Sequence, residues 1–366
     1  MIAKVIIMES RLMSALFLAH KRAAIVTFRK GLLWFPMNIL IIGGSRNIGY
    51  FLVQRLVQEG HRVTMLNRGV TPEDLPADVA RLRADRTDVQ QMRRALAGRT
   101  FDAVVDCVMY NGEEAEAIID ILNGQINHYI FISSGQVYLV RQGLTRPFKE
   151  DDYAGELMPP PEINTYDYEE WLYGMEKRRA EDTFQRAYIT HGFPYTALRL
   201  PMVNSTRDRF NRLLAYILRL QDNGPILVPQ TPDYPLRHVY VGDVVEAIMR
   251  LINTGMGKGR AYNISQDETV SIESFLQLLG EIMGKQPDIH KVPRDVLEAN
   301  GFLPDCSPYS ELWMSELDNA RSKAELGMTY TPLRDYLSTI VAYHQAHPPK
   351  KPRSYNRRKA EKQMAG

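Results

Sequence analysis

The stretch MNILIIGGSRNIG, residues 37–49, decides the fold of this chain. Its apolar run at residues 38–42 predicts a buried β-strand, which ends at Gly43 and Gly44. Apolar side chains then recur at helical spacing through residues 48–59, and Gly60 stops the helix. A strand, a glycine-rich turn and a helix in this order are typical of the first unit of a parallel α/β sheet.

Strands and helices continue to alternate along the next 150 or so residues. We predict strands at 61–66, 101–108, 128–133 and 195–200, and helices at 88–97, 113–123 and 171–188. Residues 139–170 are charged, proline-rich and aromatic, which predicts a long loop inserted into the domain. The expected fold class is α/β, a Rossmann-type doubly wound parallel sheet with a smaller C-terminal substrate-binding cap.

The same pattern predicts four regions. Residues 1–36 are expected to be an N-terminal extension outside the fold, and residues 37–200 a nucleotide-binding Rossmann domain. Residues 201–345 are expected to form mainly the cap, with some return to the first domain. Residues 346–366 are expected to be a basic disordered tail.

The net charge of +2 over 366 residues hides a difference between the ends and the middle. Residues 1–36 hold six Lys or Arg against one Glu, residues 348–366 hold seven against one, and the middle is left at −9. An acidic body has no positive field that would attract nucleic acid, so we expect no such partner. Contact of the basic tail with RNA or anionic lipid is the alternative.

The sequence contains only weak signals for a metal site, a membrane helix or a signal peptide. The two cysteines, Cys107 and Cys306, cannot form a cysteine cluster, and histidine pairs at ligand spacing are limited to His344 and His347. We therefore expect no metal. No apolar run reaches the ~18 residues of a membrane helix, and the N-terminus lacks a convincing signal-peptide cleavage site. We expect a cytoplasmic protein; a basic amphipathic membrane contact by residues 1–36 is the alternative.

The glycine turn suits a pyrophosphate, because backbone N–H groups meet the ligand at the helix N-terminus. The residues expected to bind it are Gly43, Gly44, Ser45, Arg46, Asn47, Ile48 and Gly49. At the end of the second strand, Asn67 stands where a carboxylate would bind the ribose of NAD, and Arg68 follows. Two guanidiniums and no carboxylate favour NADP over NAD. The alternative is that Arg68 is only a solvated charge.

A second motif supplies candidate catalytic groups. Ser134 lies at the end of a predicted strand, and Tyr173 and Lys177 are four residues apart, on one helix face. An ammonium beside a phenol lowers the pKa of the phenol towards neutrality, and a serine hydroxyl can hold a substrate oxygen. A second such pair, Tyr355 and Lys359, lies in the basic tail without a strand partner, and we attribute it to chance.

From Met37 to about Ile340 the chain resembles the extended short-chain dehydrogenase/reductase family, in its NAD-dependent epimerase/dehydratase group. The motifs that carry the resemblance are GGSRNIG (43–49), ADRTD (84–88), FISSGQVY (131–138), YGMEK (173–177), RHVYVGDVVEAI (237–248), AYNIS (261–265) and KAELGMTYTP (323–332). The resemblance implies that Tyr173 is the acid/base and that Lys177 is its partner at the nicotinamide ribose. It implies further that Ser134 orients the reacting C–O group and that Asp85 meets the adenine.

Three positions depart from the family pattern. Arg46 replaces the middle glycine, and the strand end LNRG with the turn GGxRxxG resembles the branch that contains the chloroplast stem-loop RNA-binding proteins. Some members of that branch have lost redox chemistry, whereas Ser134, Tyr173 and Lys177 are all present here. Met202 stands where the family often has an asparagine that touches a nucleotide-sugar.

The substrate is expected at the cleft between the two domains. By resemblance, Arg237 would bind the diphosphate of a nucleotide-sugar, although it could instead pair with Asp243 or with the acidic loop. Asn204 and Arg207 are expected at the cleft mouth, and the rings that could stack on a base or sugar are Tyr166, Tyr168 and Trp171.

These observations predict an NAD(P)-dependent oxidoreductase or epimerase/dehydratase. It would act at a secondary alcohol or ketone carbon of a nucleotide-sugar or related small molecule. Epimerisation, dehydration and reduction stay open at this point, as does a homodimer. The alternative function is a catalytically reduced nucleotide- or RNA-binding protein on the same fold.

Overall fold

The computed structural model describes residues 27–29, 32–71, 74–348 and 350–365. Most of the expected N-terminal extension, residues 1–36, therefore lies outside the described residues. Its described part includes two antiparallel strands, Thr27–Arg29 (β1) and Leu32–Trp34 (β2).

A seven-stranded parallel sheet forms the centre of the molecule. From one edge to the other its strands are Arg260–Asn263 (β12), Tyr195–Leu200 (β8), Tyr129–Ser134 (β7), Ala103–Asp106 (β6), Asn38–Ile42 (β3), Arg62–Asn67 (β4) and Ala80–Arg83 (β5). The strand order reverses at β3. The chain places β4 and β5 on one side of β3, and then crosses over to place β6, β7, β8 and β12 on the other side. The predicted Rossmann-type α/β fold is confirmed, although the two edge strands, β5 and β12, were not predicted.

Helices cover both faces of the sheet and build the cap. They are Asn47–Gln58 (α1), Val89–Leu96 (α2), Gly112–Leu122 (α3), Gln136–Leu139 (α4), Tyr166–His191 (α5), Arg212–Gln221 (α6), Val241–Thr254 (α7), Ile272–Met283 (α8), Arg294–Ala299 (α9), Ala320–Leu326 (α10), Leu333–Ala346 (α11) and Arg358–Ala365 (α12). Two short parallel strand pairs complete the cap. They are Val203–Asn204 (β9) with Val239–Tyr240 (β11), and Ile226–Pro229 (β10) with Ile289–Val292 (β13).

The core explains why β3 is apolar at every position after Asn38. Ile39 and Ile41 face one side of the sheet, where they pack with residues of α1 and α7. Leu40 and Ile42 face the other side, against residues of α2, α3 and α5. A parallel strand covered by helices on both faces has no polar side, which is the pattern that the sequence shows.

The inserted loop is shorter than predicted, because α5 begins at Tyr166 and not at residue 171. The Thr165 hydroxyl accepts a hydrogen bond from the backbone N–H of Tyr168 at 3.2 Å and so caps the helix. Asp167 and Glu169 lie in the first turn, where carboxylates stabilise a helix N-terminus. Aromatic side chains expected on a loop are therefore held on the rigid start of α5.

The expectation of a disordered tail is wrong for residues 350–365. A 3₁₀ turn at Arg353–Tyr355 and helix α12 pack against the cap. Arg219 of α6 is fully buried and forms an ion pair with Glu361 of α12 at 2.5 Å. Arg358 binds Asp222 at 2.7 Å in the same way. Two of the seven basic residues that suggested a solvated tail, Arg358 and Lys362, thus pair with Asp222 of the cap.

Candidate active site

The glycine turn brings strand β3 and helix α1 into close contact. Gly43 has a φ of +96°, in the region that favours glycine, and its N–H donates to the Leu66 carbonyl at 3.0 Å. A Cβ on Gly49 would lie 2.6 Å from Cα of Gly44, so a side chain there would push the helix away from the turn. The first N–H groups of α1 are therefore held at the end of the sheet.

A cavity of about 460 Å³ opens at this turn, and we call it the turn cavity. The predicted binding residues that line it are Gly43, Ser45, Arg46, Asn47, Ile48, Gly49, Asn67, Arg68 and Asp85. Gly44 lies beneath them, where a Cβ would press on Ile41 and Met65. The role of Gly44 is thus to permit close packing.

Polar groups at the rim of the turn cavity are already organised. The Arg46 guanidinium donates to the Thr71 hydroxyl at 2.9 Å, and Arg68 lies 3.7 Å from the Asp85 carboxylate. Hydrogen bonds from Thr87 hold the pKa of Asp85 below its usual value. Asn67 accepts from the backbone N–H of Gly69 at 2.9 Å.

The turn cavity fits a dinucleotide. The helix N-terminus suits a diphosphate, the Asp85 carboxylate suits the amino group of an adenine, and the two arginines suit a further phosphate. Thr71 lines the same cavity and was not predicted, because no motif marks it.

Ser134 and Tyr173 come together in a second cavity of about 760 Å³, which we call the cleft cavity. The backbone N–H of Gln136 donates to the Ser134 hydroxyl oxygen at 3.2 Å, which orients that hydroxyl. Tyr173 is 36% exposed. Partial removal of the phenol from water raises the pKa of Tyr173 to about 12, and the neighbouring Ser134 hydroxyl acts in the opposite direction.

Lys177 lies beneath the ring of Tyr173, and its hydrogen bonds go to backbone carbonyls. Its ammonium donates to the carbonyl oxygens of Met109 and Ile132 and lies 5.7 Å from the centre of the Tyr173 ring. Burial lowers the pKa of Lys177 to about 8. In this arrangement burial is the largest influence on the pKa of the phenol. The pairing of Lys177 with Tyr173 during catalysis stays a prediction.

The turn and cleft cavities adjoin. Arg46, Asn47, Tyr110 and Arg209 line both of them. Ser205, in the segment that follows β9, donates to the Asn47 side chain at 2.7 Å and so ties that segment to the turn. A ligand in the turn cavity would therefore extend towards Tyr173.

Three predicted substrate residues lie outside the residues that line the cleft cavity. Asn204 is buried in the cap, where it bonds His238, Tyr309 and Tyr336 and not the cleft mouth. Arg237 donates to the Gln266 carbonyl at 2.9 Å. Its suggested alternative partner, Asp243, binds the Thr331 hydroxyl instead. Val203, next to Asn204, lines the cleft cavity, whereas the sequence neighbours of Arg237 are not among its lining residues.

Arg207 stacks on the ring of Tyr50, with its guanidinium 3.6 Å from the ring centre. Two residues further on, Arg209 lines both cavities, and Arg212 lines the cleft cavity at the start of α6. Met202 also lines the cleft cavity, as its position in the motif suggested. The sequence therefore identified the right segment but not the right arginine.

Other cleft residues were missed by sequence reasoning. They are Gln136, Glu170, Glu311, Trp313 and Ser354. Of the three rings expected to stack on a substrate, Tyr166 is among the lining residues, whereas Tyr168 and Trp171 are not. Glu170 carried a usable signal, since it lies three residues before Tyr173 on the same helix. The segment around Glu311 and Trp313 carried none, because only the folding of the cap brings it to the cleft.

Within the described ranges, no group of three or more His, Cys, Asp or Glu is arranged to hold a metal ion. In the same part of the chain, no helix is long and apolar enough to cross a membrane.

We compared the chain with protein families, with known proteins and with solved structures. The model of the NAD dependent epimerase/dehydratase family matches residues 39–265. The chain is 27% identical over 276 residues to the chloroplast stem-loop binding protein of 41 kDa b from Arabidopsis thaliana, covering 70% of this chain and 67% of that one. It is 27% identical over 285 residues to 2′-dehydrokanamycin reductase from Streptomyces kanamyceticus, covering 76% of each.

Among solved structures, UDP-glucose 4-epimerase from Thermotoga maritima, with UDP-glucose, has a similar fold. Its TM-score is 0.67 at 20% identity, with 86% of this chain and 100% of that chain covered.

Proposed function

The chain belongs to the NAD-dependent epimerase/dehydratase family, and on this basis we propose that it is an NAD(P)-dependent oxidoreductase. Its reaction would interconvert a secondary alcohol and a ketone on a small polyhydroxylated molecule. The observation that carries this proposal is that Ser134 and Tyr173 face one cavity, which adjoins a cavity built on the glycine turn.

The side chains present supply the proton chemistry. A dinucleotide bound in the turn cavity would supply or accept hydride. Tyr173, with a pKa of about 12, is protonated at neutral pH and can therefore donate its proton to a carbonyl oxygen. Ser134 would hold that oxygen in place. A phenol that starts protonated favours the direction of ketone reduction.

Lys177 would support Tyr173 without receiving the substrate proton. Below a pH of about 8 its ammonium is charged, and this charge stabilises the phenolate that remains after proton donation. The carbonyls of Met109 and Ile132 fix the ammonium in position.

We propose NADP(H) as the preferred dinucleotide. Arg46 and Arg68 line the turn cavity, and guanidiniums are the groups that bind a phosphate most specifically. The Arg68–Asp85 contact opposes this preference, since Asp85 competes for Arg68. Its separation of 3.7 Å and its exposure make it weak enough for a phosphate to replace.

The family relatives suggest two substrate classes. One structure of similar fold contains UDP-glucose, and one relative is named for the reduction of 2′-dehydrokanamycin. Arg209 and Arg212 could meet a diphosphate, which keeps a nucleotide-sugar among the candidates. The cleft cavity also contains acidic residues, and these favour the second class, an amine-bearing sugar of the kanamycin type.

Binding without turnover is the second candidate function, because one relative is named as a chloroplast stem-loop binding protein. The presence of Ser134, Tyr173 and Lys177 in one arrangement weighs against it.

The test is Tyr173→Phe, which removes the proton donor and little else. Turnover should fall by about 10²–10⁴-fold, while NADP⁺ affinity stays the same. Turnover is measured as NADPH consumption with a panel of keto-sugars, and affinity by calorimetry. Tyr188→Phe, on the same helix but outside the residues that line the two cavities, is the matched control. Full activity of Tyr173→Phe would refute the assignment, and NADP⁺ binding with no turnover of any panel member would support the second candidate.

A further inference from the structure

The charged residues of the cleft cavity are unevenly distributed. Arg46 and Arg209 lie where the two cavities adjoin, so their charges belong to the cofactor side. Glu170 and Glu311 line the cleft cavity only, together with the aromatic side chains of Tyr166 and Trp313. Arg212, Asp208 and Asp305 also line only this cavity, and Arg212 is paired with Asp208. The part of the cleft away from the turn cavity therefore presents carboxylates between aromatic rings.

Glu170 is fixed close to the candidate catalytic groups. It lies one helical turn before Tyr173 on α5, so the two side chains emerge on the same face at about 5–6 Å between Cβ atoms. The side-chain amide of Gln136 donates to the Glu170 carboxylate. Gln136 is two residues after Ser134, which ties Glu170 to the strand end that carries the serine.

Glu311 reaches the same region from a distant part of the chain. One of its carboxylate oxygens, Oε1, is inaccessible to water and accepts no hydrogen bond from the described residues. The Tyr166 hydroxyl lies within hydrogen-bonding reach of both glutamates, and their two negative charges help to raise the pKa of that hydroxyl. Oε1 is the Glu311 oxygen that is left without a hydrogen-bond donor. A buried carboxylate oxygen without a donor is costly unless a ligand supplies one.

The nearest arginines do not neutralise these carboxylates by direct contact. Arg212 pairs with Asp208 at 3.3 Å, and Arg294 pairs with Glu298 at 3.3 Å. Among the ion pairs of the described residues, none includes Glu170 or Glu311. Burial raises the pKa of both glutamates although Arg212 and Arg294 act in the opposite direction. A positive charge brought by a ligand would therefore be stabilised here.

The aromatic walls add a second preference. The Trp313 indole N–H donates to Asp167 at 2.8 Å, so its ring is held in place at the cleft. Rings of this kind pack against the apolar face of a sugar, and carboxylates accept hydrogen bonds from its hydroxyl and ammonium groups.

We propose that Glu170 and Glu311 bind an ammonium group of the substrate, so that the cleft selects amine-bearing sugars over neutral sugars. The inference rests on the proposed function for the location of the reacting carbon, near Tyr173, and it names the substrate class of that site. Glu170 and Glu311 are specificity residues here, since they would hold the substrate without handling the proton of the reaction.

The test is a calorimetric titration of the full chain, saturated with NADP⁺, against three probes. Kanamycin is an amine-bearing aminoglycoside of three rings, raffinose is a neutral trisaccharide of similar size, and UDP-glucose carries a diphosphate. Kanamycin should bind at least tenfold more tightly than raffinose. Glu170→Gln and Glu311→Gln, which keep shape but lose charge, should each weaken kanamycin binding at least tenfold.

Glu176→Gln is the matched control, because Glu176 lies on the same helix but pairs with Arg179 outside the cleft lining. Thermal unfolding of each variant checks folding, and Glu311→Gln serves if Glu170→Gln does not fold. The proposal is overturned if kanamycin binds no better than raffinose, or if both cleft variants bind it as the control does. It is also overturned if UDP-glucose alone binds tightly.

Failure of the proposed function would look different. Tyr173→Phe retains both glutamates, so it should still bind kanamycin. If kanamycin binds through the glutamates but no amine-bearing keto-sugar is turned over, the reaction is wrong and the binding site stands. If neutral keto-sugars are turned over and Glu170→Gln changes nothing, the reaction stands and the binding site is wrong.

Discussion

The turn cavity and the cleft cavity adjoin, yet they are built in different ways. Apart from Arg209, which follows β9, the turn cavity is lined by segments at the ends of β3, β4, β5 and β6, including the first turns of α1 and α3. The cleft cavity draws on the end of β7, the start of α5, the segment between β8 and α6, the loop around Trp313 and the C-terminal Ser354. The first cavity thus follows mainly from the sheet and from the segments directly after its strands, whereas the second exists only when the cap and the C-terminal segment have docked.

The largest expected difference between the two cavities follows from removing the ion pair that anchors the C-terminal segment to the cap. Glu361→Ala leaves Arg219 with a buried charge and no carboxylate partner, and such a change costs about 3–5 kcal/mol of the free energy of unfolding. Urea denaturation measures this loss. NADP⁺ affinity should be unchanged, because the turn cavity includes no residue of this segment.

The control is Glu298→Ala, which removes the partner of Arg294 from a pair that is largely exposed on the glutamate side. Its effect on stability should be at most about 1 kcal/mol. Equal effects of the two variants, or a parallel loss of NADP⁺ binding in Glu361→Ala, would contradict the separation of the cavities.

The same difference explains what the sequence could predict. The glycine turn could be predicted because β3, the turn and α1 follow one another directly in the sequence. The glycines at 43, 44 and 49 are needed for the backbone geometry and close packing of the turn. Strand periodicity also predicted β8 at its observed bounds, 195–200. The start of α5 was missed, because its first turn is rich in aromatic and acidic residues that also suit a loop.

The cleft could not be predicted in the same way, since its lining depends on which face each residue presents after folding. Asn204 pairs with Tyr240 in the two-stranded β9–β11 ladder, and its side chain enters the cap core while Val203 lines the cleft. Glu311 and Trp313 follow no motif, and their position depends on contacts with α5. The docking of the tail likewise depends on Arg219 and Asp222, more than 130 residues away in sequence.

A second prediction concerns the cofactor side. Replacing Arg46 and Arg68 together by alanine should weaken NADP(H) binding at least tenfold and leave NAD(H) binding nearly unchanged, since charge-assisted hydrogen bonds contribute roughly 1.5–3 kcal/mol each. Fluorescence titrations with NADPH and with NADH, on the wild type and the double variant, measure both affinities. Arg93→Ala with Arg94→Ala removes the same charge on α2, away from the residues that line the turn cavity. If the wild type binds NADP(H) and NAD(H) equally well, the proposed preference is refuted.

The smallest expected effect separates two arginines near the cleft. Arg209→Ala should weaken the binding of UDP-glucose or of NADP⁺ several-fold, because Arg209 lines both cavities and is exposed to a ligand. Arg237→Ala should change neither affinity, since its guanidinium donates to the Gln266 carbonyl in the cap. Calorimetry on both variants decides the point. Weaker binding in Arg237→Ala together with unchanged binding in Arg209→Ala would place Arg237 in the site and would contradict the role of Arg209 in the cleft cavity.

The central claim is that the turn cavity holds a nicotinamide dinucleotide that extends towards Tyr173. The most direct measurement is a crystal structure of the full chain grown with saturating NADP⁺. We predict the diphosphate at the N-terminus of α1, the adenine near Asp85 and the nicotinamide beside Tyr173. An empty turn cavity under these conditions, or a dinucleotide whose nicotinamide points away from Tyr173, would contradict the claim.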